Sequence, residues 1–451
     1  MKDGSPFVST TNACKLCTPL GACLAFKGIE GCVPFLHGSQ GCATYMRRYI
    51  ISHFREPVDI ASSALGEKNA IYGGGANLKK GLLNVMDKYG AKAIGLATTC
   101  LTETIGDDVK MILSEFRSEF GDLSLPAILP VSTPSYSGTH MDGFTGALRA
   151  AVDVLAGEEK TPAVNVLSGF VSPEDIRHLK TICRAFCLPA TILPDYSDTL
   201  DGGAWEEYEK ISPGGTPIAA IRAMGGAPAS LEFGRTLDPA RTAGGLLEER
   251  FGVKRLGLGL PIGLRETDAF MAALEELSGR CLPRALGAER ARLVDALVDG
   301  HKYVAGKRCL IYGEEDLAVG LASFAAEIGL VPVLVASGGS SGRLTSAVAA
   351  VSGDILREQP QVASGVDFYE IADKAKTLAP DLILGNSKGY RVLAKELNVP
   401  LVRVGFPIHD RFGASRVIHL GYRGAQSLFD RVANALIEKK QADSDIGYGY
   451  I

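Results

Sequence analysis

The segment 307–337 has the sequence KRCLIYGEEDLAVGLASFAAEIGLVPVLVAS, in which two apolar runs flank a glycine turn and a helical stretch. Short apolar runs that alternate with helical segments are typical of a β-α-β unit with parallel strands. The alternation continues through DLILGNSKGYRVLAKELNVPLVRVGFP (381–407) and ends in a predicted helix at 425–440. This part of the chain therefore predicts a Rossmann-like domain.

The same alternation of strands and helices occurs upstream, in the middle and first parts of the chain. The middle part contains AVNVLSGF (163–170), a helix at 173–186, PATILPD (189–195), TPIAAIRAMGG (216–226) with the helix after it, LGLGLPIG (256–263), a helix at 267–278 and a long helix at 285–305. The first part contains AKAIGLATTC (91–100), a helix at 107–120 and AILPVSTPSYSG (127–138). Three such blocks predict three domains rather than one long sheet.

We therefore expect an α/β protein of three Rossmann-like domains, with mainly parallel sheets flanked by helices. The predicted domains are 1–157, 158–284 and 285–451. A composition shift at Leu155 to Pro162 is typical of a linker between the first two, and the polar first dozen residues are expected to form an arm.

Composition narrows the classes of function. The chain has 451 residues, of which 46% are hydrophobic and 22% charged, and its formal net charge is -4. We expect no nucleic-acid partner, since no basic run or excess of positive charge is present. No signal peptide or apolar span of membrane length is found, so a cytoplasmic location without membrane contact is predicted. Ten cysteines in such a protein favour thiols, metal ligands or redox chemistry over disulfides.

Half of the cysteines lie in one stretch, from Cys14 to Glu67. They are Cys14, Cys17, Cys23, Cys32 and Cys42. A zinc ribbon needs paired C-x-x-C knuckles, and this stretch has only one. Thiolates that arrive singly from separate loops suit an iron–sulfur cluster better.

Three further positions can be placed on the predicted elements. Cys42 is expected in the first turn of a helix capped by Ser39, where the helix dipole and free amides stabilise an anion. Cys100 and Ser135 each follow a predicted strand. The carboxyl ends of parallel strands form the edge where open α/β sheets place their ligands.

A nucleotide site is the competing interpretation of these α/β units. Gly313 follows a strand, but the next three residues are acidic and the G-x-G-x-x-G spacing is missing. A carboxylate would repel a pyrophosphate, and the chain has no G-x-x-x-x-G-K-[ST] segment. A free-standing dinucleotide enzyme is therefore disfavoured.

Several motifs resemble those of one family, and the similarity covers the whole length. They are Cys17-Thr-Pro-Leu-Gly-Ala, His37-Gly-Ser-Gln-Gly-Cys42, His53-Phe-Arg-Glu-Pro, Thr98-Thr-Cys100-Leu-Thr-Glu, Ile105-Gly-Asp-Asp, Thr133-Pro-Ser135-Tyr, Pro194-Asp-Tyr-Ser, Gly385-Asn-Ser, Gly405-Phe-Pro and Gly421-Tyr-Arg-Gly. With these motifs the chain resembles the β-type subunits of the nitrogenase component 1 family.

Two kinds of subunit share this pattern. The start of the chain close to Cys17 and the segments ILPDYSDTLDG and PLVRVGFPIHDRFG resemble the N subunit of the scaffold on which the iron–molybdenum cofactor precursor matures. The resemblance then implies a heterotetramer with an α-type partner, the E subunit. This partner holds the cofactor precursor. The alternative is the β subunit of a catalytic nitrogenase or nitrogenase-like reductase, which relays electrons from an ATP-dependent iron-protein reductase.

The resemblance also implies the site residues. Cys17, Cys42 and Cys100, with Ser135, match the cluster positions of the catalytic subunit, whereas better-known N subunits keep only the cysteine that matches Cys42. A four-iron, four-sulfur cluster and an eight-iron, seven-sulfur P-type cluster shared with the partner both remain open. Ser135 is either a ligand or a hydrogen-bonding loop serine.

The other polar groups have simpler interpretations. His37 and His53 either tune the cluster through hydrogen bonds or cap nearby backbone, and Arg47, Arg48, Arg55 and Glu56 are expected to form an interface or ion-pair face. The apolar residues around Leu20 to Phe35 are expected to need cover from a partner. The remaining cysteines are interpreted as packing residues, with Cys14 as a possible substitute ligand: Cys14, Cys23, Cys32, Cys183, Cys187, Cys281 and Cys309.

Overall fold

The computed structural model describes residues 14–204 and 206–446. The predicted amino-terminal arm lies outside these residues. Within them the chain forms an α/β fold with three parallel sheets flanked by helices, which confirms the predicted fold class. No helix of this described part is long and apolar enough to cross a membrane.

The first sheet carries the cysteine-rich stretch. Its strands are β1 (Cys32–His37), β2 (Ala61–Ser62), β3 (Ala93–Thr98) and β4 (Ala127–Val131), in the order β2-β1-β3-β4. Every residue of β1 and β3 is buried, because helices cover both faces of the sheet. The parallel register aligns His37 with Thr98 and Ala97 with Val131, so β1, β3 and β4 end side by side.

Among the described residues, seven helices belong to this part, and the one predicted at 107–120 is shorter, at 109–119. They are α1 (Thr18–Lys27), α2 (Gln40–Phe54), α3 (Asn69–Tyr72), α4 (Gly75–Tyr89), α5 (Cys100–Ile105), α6 (Val109–Glu119) and α7 (His140–Leu155). Ser39 is the residue before α2, as predicted, but its hydroxyl makes no capping hydrogen bond to the helix backbone.

The second sheet has the order β6-β5-β7-β8. Its strands and helices are β5 (Val164–Leu167), α8 (Pro173–Ala185), β6 (Ala190–Leu193), α9 (Ile218–Arg222), β7 (Ala229–Phe233), α10 (Ala243–Phe251), β8 (Lys254–Leu258) and α11 (Gly263–Ser278). Within the segment 216–226, residues 218–225 are helical rather than a strand, since Pro217 precedes α9 with a fixed φ and without an N–H donor. The strand follows at β7, where sequence reasoning placed none.

The third sheet contains the segment 307–337 and has the order β11-β10-β9-β12-β13. Its elements are α12 (Arg284–Val304), β9 (Arg308–Gly313), α13 (Glu315–Glu327), β10 (Val331–Ser337), α14 (Leu344–Ser352), β11 (Gln361–Ser364), α15 (Phe368–Leu378), β12 (Leu382–Gly385), α16 (Lys395–Leu397), β13 (Leu401–Arg403) and α17 (Gly421–Ala442). The domain limits at 157 and 284 stay a prediction.

Burial separates the seven cysteines interpreted as packing residues into two groups. Cys14, Cys23, Cys32, Cys183 and Cys309 are buried packing residues, as predicted. Cys187 and Cys281 are exposed, so placing them in the core was wrong. Cys187 lies just beyond α8 in the left-handed region at φ 53°, and Cys281 lies in the loop between α11 and α12. Neither residue is on a face that packs.

The apolar stretch from Leu20 to Phe35 is covered by the chain itself. Leu20 and Leu24 on α1 are fully buried, and Phe35 on β1 is 1% exposed. The expectation that this stretch needs a partner to cover it was wrong. The physical reason is that α1 lies between the first sheet and α7, which a linear sequence does not show.

Candidate functional site

The predicted site residues meet where β1, β3 and β4 end. Cys42 lies in the first turn of α2, which follows β1, and Cys100 begins α5, which follows β3. Ser135 lies in the loop after β4, and its backbone N–H donates to Cys100 Sγ at 3.2 Å. The Ser39 hydroxyl donates to Cys42 Sγ at 3.4 Å. The loops from three neighbouring strands therefore bring these side chains to one edge.

Cys17 reaches the same edge from the start of α1. The backbone N–H of Thr18 donates to Ser135 Oγ at 3.2 Å, which ties Cys17 to the loop after β4. Burial raises the pKa of the Cys17 thiol, and the Cys100 and Cys42 thiolates raise it further, while the Ser135 hydroxyl opposes them. Cys17 therefore lies within electrostatic reach of the other two thiols. All three are half-buried, so water has limited access to them.

Threonine side chains hold the strand ends together behind the cysteines. The hydroxyls of Thr99 and Thr102 both donate to His37 O, at 3.1 and 3.0 Å. Thr133 donates from its backbone N–H to Thr98 Oγ1 at 2.8 Å, which joins the loop after β4 to the end of β3. Because buried donors and acceptors are satisfied across the strands, the loops that carry the cysteines are fixed relative to one another.

His37 supports the loop before Cys42 without contacting a cysteine. Its Nδ1 lies 2.9 Å from Ser63 Oγ, and its Nε2 lies 3.0 Å from Asp107 Oδ2. Gly38 N–H donates to the same Ser63 hydroxyl at 2.9 Å. Burial lowers the pKa of His37, and the Asp107 carboxylate opposes that shift. Asp107 belongs to the Ile105-Gly-Asp-Asp motif, so two motifs meet behind the site.

His53 and the arginines of α2 serve other contacts. The backbone N–H of Ile408 donates to His53 Nδ1 at 2.9 Å, so this histidine joins α2 to the third domain. Arg47 donates to Val58 O at 2.8 Å and lies 3.5 Å from Asp59. Arg55 Nη2 donates to His409 O at 3.5 Å. These charges stay at the surface, as the predicted ion-pair face requires.

Lys388 is a nearby cation that sequence reasoning missed. It follows β12, and its Nζ donates to Lys15 O at 3.3 Å, two residues before Cys17. Burial lowers the pKa of Lys388, whereas the Cys14 and Cys17 thiolates raise it. The sequence does contain a signal for this residue: a lysine follows the Gly385-Asn-Ser motif at the carboxyl end of a parallel strand, where ligands bind.

A cleft of about 710 Å³ opens beside this edge. Thr18 and Pro134 line it from the first domain, Asp238 from the second, and Glu314 and Ser341 from the third. Burial, and then the neighbouring Asp316 carboxylate, raise the pKa of Glu314 to about 8. The cleft therefore lies where the carboxyl ends of strands from all three sheets come together.

The donors that meet at this edge are thiols from separate loops. Among residues 14–204 and 206–446, no group of three or more His, Cys, Asp or Glu is arranged to hold one metal ion. Half-buried thiols from separate loops, near a helix amino terminus and a lysine, suit an iron–sulfur cluster, since thiolates bind its irons and positive groups balance its negative charge.

Comparison with known proteins places the chain in a family. Residues 17–437 match the family described as nitrogenase component 1 type oxidoreductase. The chain is 33% identical over 432 residues to the nitrogenase molybdenum-iron protein beta chain of Clostridium pasteurianum, covering 95% of this chain and 93% of that one. It is also 33% identical over 441 residues to the nitrogenase vanadium-iron protein beta chain of Trichormus variabilis, covering 95% and 94% of the two chains.

Solved structures agree with the sequence comparison. A chain of nitrogenase Cp1 at pH 6.5 superposes with a TM-score of 0.95 at 31% identity, covering 100% of this chain and 98% of that chain. A chain of nitrogenase Cp1 at pH 5 gives a TM-score of 0.72 at 13% identity, which is a likeness of fold alone. With its relatives aligned over nearly their whole length, the chain belongs to the nitrogenase component 1 family as a homologue of its β-type subunits.

Proposed function

We propose that the chain is the β-type subunit of a nitrogenase or nitrogenase-like reductase and relays electrons through an iron–sulfur cluster. Cys17, Cys42 and Cys100 are the proposed ligands, and a homologous α-type subunit supplies the rest. The observation that carries the proposal is the meeting of three half-buried thiols with Ser135 at one sheet edge. Three thiolates are fewer ligands than a cluster of this kind needs, so a partner must supply the others.

The residues around the thiols fit this role. Proteins of the family bind iron–sulfur clusters, which accept and donate single electrons. Cys42 lies in the first turn of α2, where the positive end of the helix dipole favours a negatively charged group such as a cluster. Ser135 holds Cys17 by accepting from Thr18 N–H, so we assign it to positioning beside the cluster. Whether the cluster has four or eight irons depends on the ligands of the partner.

The scaffold role favoured by the sequence motifs is the second candidate. Among the relatives compared, the names are those of molybdenum-iron and vanadium-iron protein beta chains, which supports the relay role over cofactor assembly. Both roles imply a heterotetramer of two α-type and two β-type subunits and an ATP-dependent iron-protein reductase. In the scaffold role an E-type partner would hold the iron–molybdenum cofactor precursor.

An activity assay on the purified complex separates the two roles. We expect ATP-dependent reduction of acetylene or protons when the iron-protein reductase is added. A complex that reduces neither substrate, but donates an unfinished cofactor to a cofactor-free nitrogenase, would assign the scaffold role instead. Metal analysis of the same preparation counts the irons per αβ pair.

The ligand assignment is tested by replacing Cys42 with alanine. Cys42→Ala removes a thiolate at the helix start, so the iron content of the anaerobically purified complex should fall and its oxidised-cluster absorbance should bleach. Cys183→Ala is the matched control, since Cys183 is buried in the second domain away from the site. Full iron and an unchanged spectrum in Cys42→Ala would rule out the assignment.

A further inference from the structure

The chain segment that leads into Cys17 is held by the third domain. Cys14 is buried in the core of that domain, together with Leu310 and Tyr312. Gly338, just beyond β10, lies so close that a Cβ there would come within 2.5 Å of the Cys14 carbonyl carbon. On the other side, the backbone N–H of His140 donates to Leu16 O at 3.0 Å. Residues 14–16 are therefore held between the loop after β10 and the start of α7.

Lys388 adds a charged side chain to the contacts that hold residues 14–16. Its ammonium donates to Lys15 O at 3.3 Å, and Lys15 is the middle residue of 14–16. The backbone beneath it is fixed: Lys388 N–H donates to Asn386 Oδ1 at 3.0 Å, and Asn386 Nδ2 donates to Phe406 O at 3.1 Å. Because the base of the side chain is anchored, the ammonium keeps its place beside the residues that precede Cys17.

The electrostatic surroundings of Lys388 include the cysteines of this segment. Burial lowers the pKa of Lys388, and a thiolate at Cys14 or Cys17 would raise it. In turn Lys388 lowers the pKa of both thiols, against the larger effect of burial. Cys14 is buried in an apolar core and its pKa is raised to about 12, so it stays a neutral thiol. Of the two thiols, Cys17 is the proposed cluster ligand, and a ligand binds as a thiolate, so the charge of Lys388 acts on the Cys17 side.

We propose that Lys388 is a positioning residue for the cluster, holding the segment before Cys17 and supplying the positive charge that stabilises the more reduced cluster. The inference rests on the proposed function. Reduction adds negative charge to a cluster, and nearby charges and hydrogen bonds set its potential. Lys388 is half-buried, and salt screens a half-buried ammonium less than an exposed one. Its charge therefore acts on the proposed cluster site.

The test compares variants that separate charge from hydrogen bonding. Lys388→Met removes both, Lys388→Gln keeps an N–H donor without the charge, and Lys388→Arg keeps both. Lys374→Met, at an exposed position on α15, is the matched control. The midpoint potential is measured by a redox titration followed by electron paramagnetic resonance on the complex purified anaerobically. Iron release to a chelator is timed on the same samples.

We expect Lys388→Met and Lys388→Gln to shift the midpoint potential to more negative values. Lys388→Met should also lose iron faster, by about tenfold, since lost outer partners lower metal affinity by about 10–100-fold. Lys388→Arg and Lys374→Met should match the wild type. Unchanged potentials in the Met and Gln variants, or an Arg variant shifted as far as Met, would overturn the inference. A wild-type complex without iron would instead overturn the proposed function, and this inference with it.

Discussion

At the scale of single residues, the absence of a side chain at Gly38 lets the site close. Gly38 follows β1, and a Cβ there would lie 2.1 Å from Thr99 Oγ1 and 2.5 Å from Thr99 Cγ2. Thr99 cannot move away freely, because its backbone N–H and its hydroxyl both donate to His37 O at 3.1 Å. The loops that carry Cys42 and Cys100 thus approach each other only with glycine at this position.

Gly38→Ala should therefore weaken the site as well as the fold. Relieving the overlap must displace one of the two loops, which in a packed interior costs about 1–3 kcal/mol. We expect a lower unfolding temperature and a lower iron content of the purified complex. Gly66→Ala is the control, since no atom lies within 4 Å of a Cβ at that position. A Gly38→Ala complex with normal iron would show that the loops tolerate separation.

At the scale of elements, the crossing of α1 and α7 sets the position of Cys17. Cβ atoms added at Gly21 and Gly143 would lie 1.6 Å from His140 O and 1.9 Å from Thr18 O, so the two helix backbones touch at both glycines. Because Cys17 directly precedes α1 and Ser135 lies in the loop before α7, this contact fixes the distance between them.

Gly143→Ala should push the start of α1 away from α7. We expect the Thr18–Ser135 hydrogen bond to be lost, since the added methyl group would meet the Thr18 carbonyl. Iron content should fall and thermal stability should decrease, even though alanine favours a helix by about 1 kcal/mol over glycine. Gly287→Ala in α12 is the matched control, because the nearest atom to its added Cβ is 3.8 Å away. Equal iron in both variants would contradict this account.

At the scale of the whole molecule, buried polar groups join domains that are far apart in sequence. Asp175 Oδ1 on α8 accepts from the backbone N–H groups of His419 and Leu420, at 2.7 and 2.9 Å. His53 on α2 accepts from Ile408 N–H at 2.9 Å and packs against Phe54 and Phe406. Each of these groups loses a satisfied partner if the domains separate, which couples domain contact to stability.

His53 makes that contact sensitive to acid. Burial lowers the pKa of His53 to about 3, from an ordinary value of 6.5. Between these values the unfolded chain binds a proton that the folded chain does not, so stability is complete above pH 6.5 and falls as the pH is lowered. The loss is at most about 1.4 kcal/mol per pH unit for one histidine.

His53→Gln should reduce this acid sensitivity, since glutamine can accept from Ile408 N–H and does not titrate. The measurement is the unfolding temperature of the complex at about pH 7.5 and pH 5.5, with the wild type alongside. We expect the gap between the two pH values to be smaller in the variant, while pH 7.5 serves as the internal control. An equal gap in both proteins would exclude His53 as a source of the acid sensitivity.

Much of the molecule follows from local sequence. Continuous apolar runs such as 93–98 and 308–313 identify strands buried on both faces, and helical segments between them predict parallel sheets. The same patterns place Cys100 and Ser135 after strands, hence at one sheet edge, and Cys42 at a helix start. These features depend only on near neighbours in the chain.

Tertiary structure decided the contacts between distant segments. Cys14 and Cys17 look alike in the sequence, yet Cys14 enters the core of the third domain while Cys17 lies with Cys42 and Cys100. Lys388 reaches Lys15 across 373 positions, and residues 218–225 are helical although the apolar residues of 216–226 suggested a strand. Periodicity records which face of an element is buried, but not what buries it, because that depends on how separately formed elements pack.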